Sequence, residues 1–155
     1  MLITDYLKKE CIVVNLKAEK KDQLITALAE LQFENHPEID REEAIAGLYE
    51  REKILSTGIG EGIAIPHARL KSIDRISVSC GLLQDEADFD AIDAKPVKMI
   101  FLVFFPEDEV NLQLRFLARI SRLLRHAELR ENLLCCHRPE DVIDVFRQFE
   151  ADHFH

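Results

Sequence analysis

The sequence has no long hydrophobic run. Its longest unbroken apolar stretch, Met99 to Phe105, has seven residues, whereas a membrane-spanning helix needs about 20. It has no apolar leader either. Asp5, Lys8, Lys9 and Glu10 fall within the first ten residues, so no secretory signal is expected there. Positive charge is in deficit: 20 Lys and Arg stand against 29 Asp and Glu, a formal net charge of −9. Neither nucleic acid nor an anionic membrane surface suits such a chain as a partner. Cys11, Cys80, Cys135 and Cys136 include no CxxC pair, and the expectation is reduced thiols in a cytoplasmic protein. Cys135-Cys136-His137 lacks a further ligand pair at metal-binding spacing. The acidic run Asp85, Glu86, Asp88, Asp90 and Asp93 lacks the glycine of a calcium loop, since no glycine follows Gly81. No internal repeat and no Gly/Ser/Pro-rich linker divides the chain.

What is present is one domain's worth of alternating elements. A chain of 155 residues fits a single domain, read as 1–155 with a core of about 5–149, and can bury a sizeable core unaided. A short helix is expected around Ile3–Lys9 and a β-branched strand over Cys11–Leu16. Leu24, Ala27, Leu28 and Leu31 recur at helical spacing and predict a helix over Lys20–Phe33. Asp40, with Glu42 and Glu43 behind it, reads as the N-cap of a second helix to Ile54. Arg75–Leu83 alternates like a strand, and Pro96–Phe105 reads as a strand covered on both faces. Helices are expected over Leu112–Leu124, Leu129–Cys135 and Asp141–Phe149. The fold class is α/β: a single small mixed β-sheet flanked by helices on both sides.

Among the histidines, His67 stands apart. It follows the run TGIGEGIAIP, Thr57 to Pro66, and sits directly after the proline. Proline fixes its own φ and biases Ile65 toward extended backbone, so the lead-in to His67 is stiff. Gly58, Gly60 and Gly62 can bring backbone N–H groups close to an anion, as a phosphate loop does. A neutral imidazole beside such donors suits transient phosphorylation. The residues alone leave open a plainer reading, a buried histidine after a structural turn. The other histidines carry no such context: His36 lies in a loop, His126 and His137 follow helices, and His153 and His155 lie in the tail. Arg115, Arg119, Arg122 and His126 share a helix face, either as its solvated side or as a docking stripe for an acidic partner.

The run LSTGIGEGIAIPHARL, Leu55 to Leu70, resembles the active-site signature of phosphotransferase-system IIA domains of the fructose/mannitol class, which includes the nitrogen-regulatory IIA proteins. Arg51 to Lys53 (REK) and Phe89 to Asp93 (FDAID) are similar to that family as well, and the likeness runs from about Asp5 to Phe149. The resemblance implies that His67 accepts a phosphoryl group from an HPr-like histidine phosphocarrier, with Arg51 beside the phosphorylated ring. It implies a downstream IIB domain or regulatory target as partner, and no metal or organic cofactor. STGIG, and the absence of an attached membrane or IIB-like segment, favour the nitrogen-regulatory subgroup. A stand-alone IIA of fructose/mannitol-type sugar uptake and a regulatory binding module that has lost transfer are the alternatives. Members of the class often carry a second histidine in a pattern like HLxxLxxLA. Here the region reads DEVNLQLRFLARIS. Matching Leu114, Leu117 and Ala118 to its end puts Val110 at the second-histidine position, and a one-residue slip puts Asn111 there.

Overall fold

The computed structural model describes residues 1–54, 56–91 and 93–154; Leu55 of the glycine-rich signature, Ile92 of FDAID and His155 of the tail lie outside the described residues. Two 3₁₀ turns, Ile3–Asp5 and Lys9–Cys11, lead into β1 (Ile12–Leu16). Helices α1 (Lys21–Asn35) and α2 (Arg41–Ile54) follow, then β2 (Gly58–Gly60), β3 (Ile63–Ala64), β4 (His67–Leu70), β5 (Ser77–Ala87) and β6 (Val97–Pro106). Helices α3 (Val110–Leu124), α4 (Ala127–Leu134) and α5 (Pro139–His153) complete the chain.

The strands form a six-stranded mixed sheet in the order β1-β5-β6-β3-β2, with β4 also paired to β6. β1 runs parallel to β5, β5 antiparallel to β6, and β3 and β4 parallel to β6. β6 is buried along almost its whole length because both of its faces are covered. Met99, Phe101, Val103 and Phe105 pack with α3, α4 and α5, while Ile100, Leu102 and Phe104 pack with α1 and α2. The period-2 alternation of a strand makes that division. Truncating a ring such as Phe101 to alanine would cost about 3–5 kcal/mol. The fold class read from the sequence is therefore the observed one, with helices on both faces of one mixed sheet.

Local departures have identifiable causes. The expected helix over Ile3–Lys9 is instead a pair of 3₁₀ turns. The first turn is closed by bonds from Asp5 N to the Leu2 carbonyl (3.1 Å) and from Tyr6 N to the Ile3 carbonyl (3.0 Å), and the chain turns extended at Lys8. The buried Glu150 of α5 accepts from the free donors Ile3 N (2.9 Å), Thr4 N (3.0 Å) and Thr4 Oγ1 (3.1 Å). α5 begins at Pro139 rather than Asp141, since proline at N1 forfeits no intrahelical bond. The glycine-rich run, expected as a turn, contains two short strands, β2 and β3, and β4 begins directly after it. All four cysteines are free thiols, Cys11 and Cys80 buried. Among the described residues no helix is long and apolar enough to cross a membrane.

Candidate active site

β4 is an outer strand lying along the second half of β6, with His67 opposite Val103 and Leu70 opposite Pro106. Ile65 and Pro66 separate it from β3, yet the register runs straight through: Ile63 pairs with Met99 and Ala64 with Ile100. Pro66 has no N–H to give, but its carbonyl accepts from Val103 N at 2.9 Å, so β4 resumes without a slip. Ala68 and Leu70 face the α1–α2 side of the sheet. Alternation therefore sends His67 to the other face, where its ring meets Phe105 edge-on at 6.2 Å between centroids.

The ring is held at one nitrogen. His67 is 9% exposed, and its Nδ1 lies 2.8 Å from the carbonyl oxygen of Ile65. A carbonyl can only accept, so Nδ1 carries the proton and Nε2 keeps the lone pair. Burial pushes the pKa of His67 below its ordinary value. The bond to Ile65 works against that shift, the Arg51 charge adds to it, and the Glu52 charge opposes it. The resting imidazole at neutral pH is accordingly uncharged.

His67 lies at a cleft of about 390 Å3 that Arg51, Glu50 and Ile54 of α2 line on one side and Glu107 and Gln113 on the other. The placement of α2 starts at its cap. Asp40 Oδ1 accepts from Glu43 N at 3.2 Å. The Glu43 carboxylate then takes Lys71 N (2.8 Å), Ser72 N (3.3 Å) and Ser72 Oγ (2.8 Å), fastening the first turn of α2 to the end of β4. Midway along, Gly47 presses on the strand: a Cβ there would lie 3.0 Å from Ala68 Cβ. One turn later the helix delivers Arg51 to the cleft.

Of the residues singled out in the sequence, the structure brings His67 and Arg51 together. Gly58, Gly60 and Gly62 are elsewhere: they shape the β2–β3 hairpin, and none lines the cleft. Gly60 (φ 96°) and Gly62 (φ 78°) flank Glu61 (φ 56°), so their conformational freedom is spent on a left-handed turn rather than on an anion cradle beside the histidine. Val110 and Asn111 open α3 on its exposed side, and neither lines the cleft. The residue that does is Gln113, one turn further on. Its Oε1 is buried and has no hydrogen-bond partner among the described residues. The signal for it was in the sequence: Gln113 continues the buried stripe Phe116, Ile120 and Leu124 one turn toward the N-terminus, as a polar residue in a run of apolar ones. The basic stripe is partly spoken for as well, since Arg119 pairs with Glu150 at 3.3 Å and stacks on Phe154.

Comparison with known proteins places this arrangement. The profile of the family described as "Phosphoenolpyruvate-dependent sugar phosphotransferase system, EIIA 2" matches residues 5–149. A PTS system fructose-specific EIIABC component of Bacillus subtilis is 32% identical over 97% of this chain, which spans only 24% of that protein's length. A nitrogen regulatory protein of Bradyrhizobium diazoefficiens is 35% identical over 94% of both chains. The crystal structure of nitrogen regulatory protein IIA-Ntr from Neisseria meningitidis superposes with a TM-score of 0.85 at 28% identity, covering 93% of this chain and 98% of that one.

Proposed function

The chain belongs to the phosphotransferase-system EIIA type-2 family, and from that premise we propose that it is a phosphoryl carrier whose acceptor atom is Nε2 of His67. The observation that carries this reading is the bond between Nδ1 and the Ile65 carbonyl. It reserves the lone pair for Nε2 in a ring that burial keeps neutral. In uptake, a bond forms from Nε2 to phosphorus as the N–P bond of an HPr-like phosphohistidine breaks. The electron pair of the broken bond returns to the donor's ring. No proton has to leave Nε2, and the Ile65 carbonyl supports the positive charge the ring gains.

Arg51 supplies the counter-charge. Its guanidinium fork suits two phosphoryl oxygens at once. Gln113 adds an amide to the same cleft. Phosphoryl transfer needs positioning and charge stabilisation more than covalent chemistry, so an open cleft suffices and admits a protein donor. The reaction so drawn uses no metal or organic cofactor, and it belongs in the cytoplasm, where the phosphocarrier acts. The role we favour is nitrogen or metabolic regulation, with a regulatory target or a IIB domain receiving the phosphoryl group. The likeness to nitrogen regulatory proteins supports it. Fructose/mannitol-type sugar uptake is the second reading, supported by the fructose-specific relative.

The test is incubation with phosphoenolpyruvate, the general phosphotransferase enzyme and the phosphocarrier. Acid-labile, alkali-stable label on the parent and none on a folded His67→Ala variant is the expected result. Label that persists on His67→Ala would move the acceptor elsewhere. A parent that binds the phosphocarrier without label would make the chain a regulatory binding module that has lost transfer.

A further inference from the structure

A chain of polar contacts joins α1 to the imidazole without entering the cleft. Lys21 Nζ lies 2.6 Å from Glu52 Oε2. Thr57 N donates to both Glu52 carboxylate oxygens at 3.2 Å, and the Thr57 hydroxyl donates to Oε1. The Thr57 carbonyl accepts from Ile65 N at 2.9 Å. The Ile65 carbonyl, on that same residue, accepts from Nδ1 of His67 at 2.8 Å. The connection is buried: the Glu52 side chain is 5% exposed and Thr57 is 2% exposed.

Two features separate this connection from ordinary core satisfaction. Ile65 is gripped at both of its backbone polar groups, by Thr57 at the N–H and by His67 at the carbonyl. A displacement of Thr57 therefore tilts the acceptor that decides which ring nitrogen holds the proton. In addition, Arg51 and Glu52 are consecutive residues whose charges act on His67 with opposite sign. Arg51 reaches the cleft and Glu52 does not.

We propose that Glu52 is a positioning residue for His67: through Thr57 it holds the Ile65 peptide in the orientation that keeps the proton on Nδ1 and the lone pair on Nε2. Its consequence for phosphoryl uptake rests on the carrier reading above; its consequence for the ring does not. The Lys21 ammonium lies against the buried carboxylate that accepts from Thr57, which offsets the cost of burying that group.

The experiment is a 15N-detected pH titration of the His67 ring in the parent, Glu52→Gln, Glu52→Ala and Thr57→Val proteins, beside phosphoryl-uptake rates and an amide spectrum that reports folding. Glu52→Gln keeps an acceptor for Thr57 and loses the charge, so its ring should keep the parent's Nδ1–H tautomer while His67 titrates at lower pH. Glu52→Ala and Thr57→Val lose contacts to the turn and should show a mixture of tautomers. Uptake in Thr57→Val should fall roughly tenfold, the order expected from a small misplacement of a reacting group. The proposal is overturned if folded Glu52→Ala and Thr57→Val both keep the parent's tautomer. Should Glu52→Ala fail to fold, an unchanged tautomer in Thr57→Val overturns it alone. A parent that takes up no label would sink the carrier reading while the ring titration still decides the role of Glu52.

Discussion

Gly47 in α2 and Ala68 in β4 meet so closely that a Cβ added to the glycine would lie 3.0 Å from Ala68 Cβ. The two residues flank the candidate pair, Arg51 and His67. Gly47 is one helical turn before Arg51, and Ala68 directly follows His67. Their contact sets the separation between the helix that brings the cation and the strand that brings the imidazole. Any side chain at 47 must widen it.

Gly47→Ala is thus expected to separate stability from activity. Alanine is a better helix former than glycine by about 1 kcal/mol, and the tight contact with Ala68 offsets that gain. Little net change in the midpoint of thermal unfolding is expected, with phosphoryl uptake down by roughly three- to thirtyfold as α2 shifts outward. Uptake equal to the parent's would show that the helix–strand separation does not matter to transfer.

Arg51→Ala should slow uptake by about ten- to a thousandfold, the range for losing one charge-stabilising donor. Arg51→Lys should recover only part, because an ammonium cannot reproduce the planar fork. Arg51→Ala should raise the pKa of His67, since the Arg51 charge helps to hold it down, whereas Arg51→Lys keeps a positive charge and should leave it nearer the parent's. A ring titration read beside rapid-quench uptake checks the two effects independently.

The pH profile of uptake should carry a single ionisation. A protonated Nε2 has no lone pair, so uptake falls as pH drops through the pKa of His67, which burial places below the ordinary value. Above that pKa the rate should be flat through neutrality. Gln113→His introduces an imidazole into the same cleft and should add a second, coupled step to the profile. Gln113→Leu removes the amide and should reduce uptake without adding an ionisation. Two steps in the parent would reveal another titrating group at the site.

Glu150→Ala should destabilise the fold and spare the chemistry. The carboxylate satisfies Ile3 N, Thr4 N and Thr4 Oγ1 and pairs with Arg119 at 3.3 Å. Removing it leaves a partly buried guanidinium and the N-terminal turn unpaired, at about 3 kcal/mol. For a domain of this size that lowers the unfolding midpoint by roughly 10 °C. Uptake by the folded fraction at low temperature should match the parent's, since Glu150 lies outside the cleft.

The helices and the long strands were legible because their signals are local. Asp40 caps α2 as its position suggested, and the apolar run at β6 meant cover on both faces. The short strands β2, β3 and β4 were not, because strands of two to four residues are defined by pairing with β6 and β3 rather than by their own composition. His67 and Arg51 could be singled out from sequence, but the glycines between them were misplaced. Positive φ serves an anion nest and a tight hairpin equally well, and composition cannot tell which. Val110 and Asn111, the residues offered for the second-histidine position, do not line the cleft, and Gln113 does. Val110 and Gln113 are three residues apart on one face of α3, and only the depth of that face beside β4 separates the exposed residue from the cleft-lining one.

The parallel pairing of β4 with β6 ties the site to the order in which the chain is made. Arg51 and His67 lie in one early stretch, yet β4 has no strand partner until Val103–Pro106 exists. With only residues 1–100 made, the whole signature exists but the strand that β4 pairs with, Val103–Pro106, does not. Parallel pairing across such a loop is slow, because closure precedes the contacts that reward it. His67 consequently acquires its contact with Phe105 only when the centre of the sheet closes. A chain that lacks the second half of β6 therefore presents His67 without the Val103 pairing and the Phe105 ring that help to bury it.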